Sequence, residues 1–78
     1  MIGELDMVVL THDLGEHGLQ QGDVGAVVHV YGAGAAYEVE FVTAEGRTVA
    51  VLTLTAADVR PMAACEILHV REMAPLAA

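Results

Sequence analysis

The chain has 78 residues, enough for one domain near the lower limit of what a single hydrophobic core holds without a metal, disulfides or a partner subunit. Eleven carboxylates stand against three arginines and no lysine, and the formal charge of −8 excludes a phosphate-backbone binder, which needs clustered cations to displace counterions. The lone Cys65 excludes an intramolecular disulfide framework, and no run approaches the roughly 18 apolar residues of a membrane span.

The first residues, Met-Ile-Gly-Glu-Leu-Asp, lack the cationic start and apolar run of a signal peptide, so the expected compartment is the cytoplasm. Met7 to Leu10 is a short β-branched run that predicts a first strand. His12 to Gln21 holds two glycines and mixed polar residues with neither period, which predicts a loop; Leu14 and Leu19 are expected to fold back over one end of the core. Gly22-Asp23 is a turn signal, with glycine supplying positive φ and aspartate bonding nearby amides.

A second strand is predicted over Val24 to Tyr31, with Val24, Ala26, Val28 and Val30 on one face and Gly25, Val27, His29 and Tyr31 on the other. Gly25, without a side chain, suits a bulge or a close backbone approach. After the turn Gly32-Ala33-Gly34, Tyr37, Val39 and Phe41 alternate with Glu38 and Glu40, a strand with aromatics inward and glutamates outward. Thr43 to Gly46 predicts a hairpin loop. In Thr48 to Leu54, Ala50, Leu52 and Leu54 share one face and Val49 and Val51 the other; both faces are apolar, so the outer one calls for a cover. Thr55 to Val59 suits a 3₁₀ turn ended by Arg60-Pro61. Glu66 to Val70 reads as a last strand, with a short helix over Ala63 to Met73 as the alternative, and Ala74 to Ala78 reads as a frayed tail.

The fold class expected is therefore all-β: about five short strands with a 3₁₀ turn before the last, the plan of a small SH3-like barrel. The residues Asp6 to Leu10, Gly18-Leu19-Gln20-Gln21-Gly22-Asp23-Val24-Gly25, Tyr37-Glu38-Val39-Glu40-Phe41 and Gly46-Arg47-Thr48 leading into Leu54 resemble a small bacterial family of that kind, Domain of Unknown Function 4926. The resemblance implies a fold, and accessory or partner-binding proteins with no assigned reaction. The domain is expected to occupy residues 1–62, with 63–78 a C-terminal extension.

Candidate chemistry is sparse. His12, Asp13, Glu16 and His17 are the densest set of metal-capable side chains, but nothing in their spacing enforces the fixed ligand set of a tetrahedral site. Cys65 reads as a small buried hydrophobe. Glu38 and Glu40 lie roughly 7 Å apart along one strand face, a spacing that suits acid and base roles only inside a deep pocket, and a barrel of this size has little room for one. They read better as an acidic stripe facing a basic partner. Tyr31 and Tyr37 flank the glycine turn and, without a tryptophan, make a poor peptide groove.

The expected function is thus a non-catalytic, self-associating or protein-binding module that needs no cofactor. Its expected partner contacts are Glu38 and Glu40 for electrostatic docking, Val49 and Val51 for burial, and Tyr31 at the rim. The alternative is an accessory or metal-handling protein using the His12/His17 loop. Nucleic acid and membrane are not expected partners.

Overall fold

The computed structural model describes residues 2–73. The chain is all-β, with strands β1 (Met7–Leu10), β2 (Val24–Tyr31), β3 (Ala36–Val42), β4 (Thr48–Leu54) and β5 (Val59–Pro61) in one antiparallel sheet of order β4-β3-β2-β1-β5. In a flat sheet the edge strands β4 and β5 would lie about 19 Å apart, four spacings of roughly 4.8 Å. They are joined instead by the tight turn Thr55–Asp58, whose Asp58 amide bonds the Thr55 carbonyl at 2.9 Å. Such a turn holds its end Cα atoms within about 7 Å. The sheet must therefore curl round until its two edges approach, and one core fills the inside.

That core is built from alternating positions. Tyr37, Val39 and Phe41 of β3 point inward as their period predicts, joined by Val8 and Leu10 of β1, Val27 of β2, Leu54 of β4 and Val59 of β5. Ile2 and Leu19 seal it from outside the strands. Leu14 and Leu19 pair with each other across the first loop, so the predicted fold-back is present. The Asp58 carboxylate also accepts the Thr55 amide at 2.9 Å, which locks the turn joining the two edges.

Two bulges change the expected faces. In β2 the register shifts between Val27 and His29, so Val28 is an extra residue. Val30 consequently packs on the core, while Val28, His29 and Tyr31 are exposed. In β4 the register steps from Phe41↔Ala50 to Val42↔Thr48, leaving Val49 without a cross-strand partner. An extra residue bends its strand and re-aims its side chain. Val49 is thus not on the outer face with Val51; it packs against the core beside Ala50.

The C-terminal end differs from expectation in kind. The last strand is Val59–Pro61, not Glu66 to Val70, and among the described residues 62–73 form neither strand nor helix. A sequence reading passes over β5 because three residues ending in proline look like a terminator. Proline is tolerated here because β5 is an edge strand with one ladder partner. The 3₁₀ turn expected at Thr55 to Val59 is instead a hydrogen-bonded turn over Thr55–Asp58, and the 3₁₀ turn among the described residues is Gly15–His17, in the first loop. Cys65 is exposed rather than buried, because the segment carrying it runs over the surface. No helix among the described residues is long and apolar enough to cross a membrane.

Candidate functional site

Residues directly opposite in an antiparallel ladder share a face, so the register defines the outer surface. Met7, Ala26, Glu40 and Val51 form one row across four strands, and His29, Glu38 and Thr53 form the next. Val51 is 49% exposed and the bulged Val28 42%, and Met7 and Val42 also remain open to solvent. Glu40 accepts a 2.9 Å hydrogen bond from the Thr48 hydroxyl, and Glu38 one of 2.7 Å from Thr53. These bonds hold both carboxylates against the sheet. His29 stands 3.8 Å from Glu4 and packs edge-on against Tyr31, with ring centres 4.6 Å apart. Glu38, Glu40, Val51 and Tyr31 are therefore brought together on one face, with Glu4 as a further acid; Val49 is not part of it.

A second site lies at the other side of β4. A groove of about 390 Å³ runs between the start of β2, the β3–β4 hairpin and the segment 69–73, with Leu19, Phe41, Val49 and Met73 in its wall. At its rim Asp23, only 7% exposed, is the one buried polar residue among those described. Its carboxylate accepts hydrogen bonds from Arg71 Nε at 2.8 Å, from Arg71 Nη2, from His69 Nε2 at 3.0 Å and from the Gln20 amide at 2.8 Å. Arg71 Nη2 also donates to the Gly18 carbonyl at 3.0 Å. Burial by itself would raise the Asp23 pKa, but the Arg71 guanidinium, the Gln20 amide and His69 together outweigh it and hold the carboxyl below its ordinary value.

Nothing in the spacing of the sequence announces this cluster, because Asp23 lies 46 residues from His69 and 48 from Arg71. The available signal was that Arg71 is one of only three cations in an acidic chain. Of the other two, Arg60 makes a two-pronged bridge to Glu66 at 2.8 and 2.7 Å. That bridge, aided by the Ala63 amide, holds the Glu66 carboxyl at about 2. It fixes the direction in which the extension leaves β5.

His12 and His17 do not converge. His12 Nε2 lies 2.8 Å from Asp58 and Nδ1 3.1 Å from the Asp13 carbonyl. Both neighbours are acceptors, so the doubly protonated ring is the form that satisfies both together. The hydrogen bond to Asp58 is the main cause of its raised pKa. His17 sits on the 3₁₀ turn, 3.4 Å from Glu16. Among the described residues no three His, Cys, Asp or Glu side chains gather where a metal would need them. The first loop is thus tied to the β4–β5 turn by His12 and Asp58, a structural link rather than a ligand set.

The family described as a domain of unknown function, DUF4926, matches residues 4–61. The chain belongs to the DUF4926 family. No curated relative and no solved structure matches it. The DUF4926 match takes in all five strands, the outer face and Asp23, and stops at the end of β5. His69 and Arg71 therefore come from beyond the family domain and clasp a residue within it.

Proposed function

We propose that the chain is a non-catalytic protein-binding module whose docking surface is the outer face of β2, β3 and β4. The observation that carries this reading is the mixture on that face: Val28, Val42 and Val51 open to solvent, interleaved with Glu38 and Glu40. Exposed apolar side chains rimmed by charge suit protein docking. The carboxylates set the sign of the partner. With a chain charge of −8, a basic protein surface is attracted over a distance, which raises its rate of association and fixes its orientation.

A second copy of the chain is the other occupant, favoured by the same valines. Burying a valine contributes roughly 1.5–3 kcal/mol before association costs. Apposed carboxylates oppose this, at about 1 kcal/mol for each pair of like charges roughly 4 Å apart in water. The two readings respond to salt with opposite sign. Static light scattering over a dilution series at low and high ionic strength separates them. Docking of a basic partner predicts an isolated chain of 8.2 kDa at low salt. Self-association predicts a mass that rises with salt and returns to the monomer value in Val51→Glu. A dimer that persists at low salt and survives Val51→Glu would contradict both, since neither the charge nor the valine face would then govern assembly.

A further inference from the structure

The segment 67–73 lies on the DUF4926 domain in a way unlike any other part of the described chain. Its side chains split between two sides. His69, Arg71 and Met73 turn inward, the first two to Asp23 and the third to the core, whereas Ile67 is 91% exposed and Val70 94%. Among the described residues no backbone–backbone hydrogen bond joins 67–73 to the domain. The segment is thus held by its side chains alone, with His69, Arg71 and Met73 forming one side of the groove, and side-chain readout of this kind is how extended peptides are recognised by pockets that accept particular residues.

The receiving half belongs to the family domain. Asp23, the Gly18 carbonyl, Leu19, Phe41 and Val49 all lie within residues 4–61, while the inserted residues do not. The acceptors match an arginine specifically. Both Asp23 oxygens and one carbonyl take three guanidinium hydrogen bonds in a fork, a geometry that lysine cannot reproduce. Two residues further on, Met73 reaches the apolar wall, and its terminal methyl lies 3.5 Å from where a Cβ on Gly18 would stand. Gly18 has φ +70, so a side chain there is disfavoured by the backbone, while its Cβ would make only ordinary van der Waals contact with Met73.

We propose that the family-domain side of this groove is a receptor for an extended segment of a basic protein partner presenting an arginine and, two residues later, an unbranched apolar side chain, and that residues 69–73, which form the groove's opposite wall, are the chain's own occupant of that surface. Charge complementarity names the partner. The domain is strongly acidic and the resident segment sets Glu72 directly beside Arg71, so a segment with a second base in place of that acid is drawn to the groove more strongly. Displacement breaks side-chain contacts only. The groove meets the outer face of β2 to β4 at Val42, but its polar acceptors, Asp23 and the Gly18 carbonyl, are none of that face's docking residues Glu38, Glu40 and Val51.

The test uses the full chain and a fluorescein-labelled synthetic heptapeptide, Ile-Leu-His-Val-Arg-Glu-Met, copied from residues 67–73, followed by fluorescence anisotropy. In Arg71→Glu the resident segment is repelled from Asp23, and the peptide is expected to bind one to one at least tenfold more tightly than to the wild-type chain. Arg71→Ala is the parallel variant should charge reversal unfold the protein. Adding Asp23→Asn is expected to remove that gain, and a peptide with arginine in place of its glutamate is expected to bind more tightly still. Val51→Glu should leave peptide binding unchanged. Folded Arg71→Glu and Arg71→Ala proteins, judged by dispersed amide spectra, that bind no better than wild type would overturn the proposal. So would binding indifferent to Asp23→Asn.

Discussion

Replacing Gly25 by alanine is expected to destabilise the protein by about 2 kcal/mol, within the 1–3 kcal/mol range typical of an overpacked core. Gly25 is buried in β2, between β1 and β3 in the sheet, and pairs with Val8. A Cβ there would stand 2.6 Å from Val39 Cγ1 and 2.9 Å from Phe41 Cε1. Neither neighbour has room to yield, since both are buried in the same core. The backbone at Gly25 lies outside the positive-φ region, so the penalty is steric. Alanine recovers roughly 0.4–1 kcal/mol through the unfolded chain, which reduces the cost without cancelling it. A domain of this length has roughly 4–12 kcal/mol in total. Urea unfolding should show a lower midpoint with an unchanged slope, and a midpoint equal to wild type would mean that the sheet does not curl as tightly as described.

Asp23→Ala is expected to cost about 2 kcal/mol, below the 3–5 kcal/mol of a fully buried pair because Arg71 keeps some access to water. The substitution leaves the Gln20 amide, His69 and Arg71 without their common acceptor. The pH dependence carries its own signature. Asp23 has a folded pKa below the ordinary 3.8, so its contribution is present above pH 3.8 and is lost as pH falls through the folded value. Thermal unfolding of wild type and variant should therefore differ most near neutrality and converge in acid. A constant difference at all pH values would show that Asp23 acts by packing and not by charge.

How far the chain could be read in advance follows from what marks a face. β3 was legible because glutamates alternate with Tyr37, Val39 and Phe41, so every inward position is flagged by a charged neighbour. The close approach at Gly25 was legible for a related reason, a glycine inside an otherwise β-branched run. Both bulges were not. In Val24 to Val30 and Val49 to Leu54 the neighbours are mostly small and apolar, and a shift of one residue exchanges one valine or alanine for another without exposing a charge or burying one. Val49 was placed outward for that reason. The fate of residues 63–73 was hidden differently. No repeating pattern holds them; single side chains do, Glu66 bridging to Arg60 and His69 and Arg71 reaching back across 46 or more residues to Asp23. Of the candidate residues, Glu38 and Glu40 could be grouped from strand period alone, whereas Tyr31 joins their face only through the bulge at Val28, and Asp23 showed itself only as part of a turn.

The central claim is that the outer face of β2 to β4 docks a basic protein, and the measurement that bears on it most directly is photo-crosslinking from position 51. A benzophenone side chain in place of Val51 stands on the exposed row beside Glu40. In a lysate at low ionic strength the account predicts one discrete adduct with a basic protein. That adduct should fade as salt is raised and disappear in the Glu38→Lys, Glu40→Lys double variant, which reverses the sign of the face. An adduct of equal yield whatever the salt and whatever the charge at 38 and 40, or none from position 51 while a control position on the first loop crosslinks freely, would contradict it.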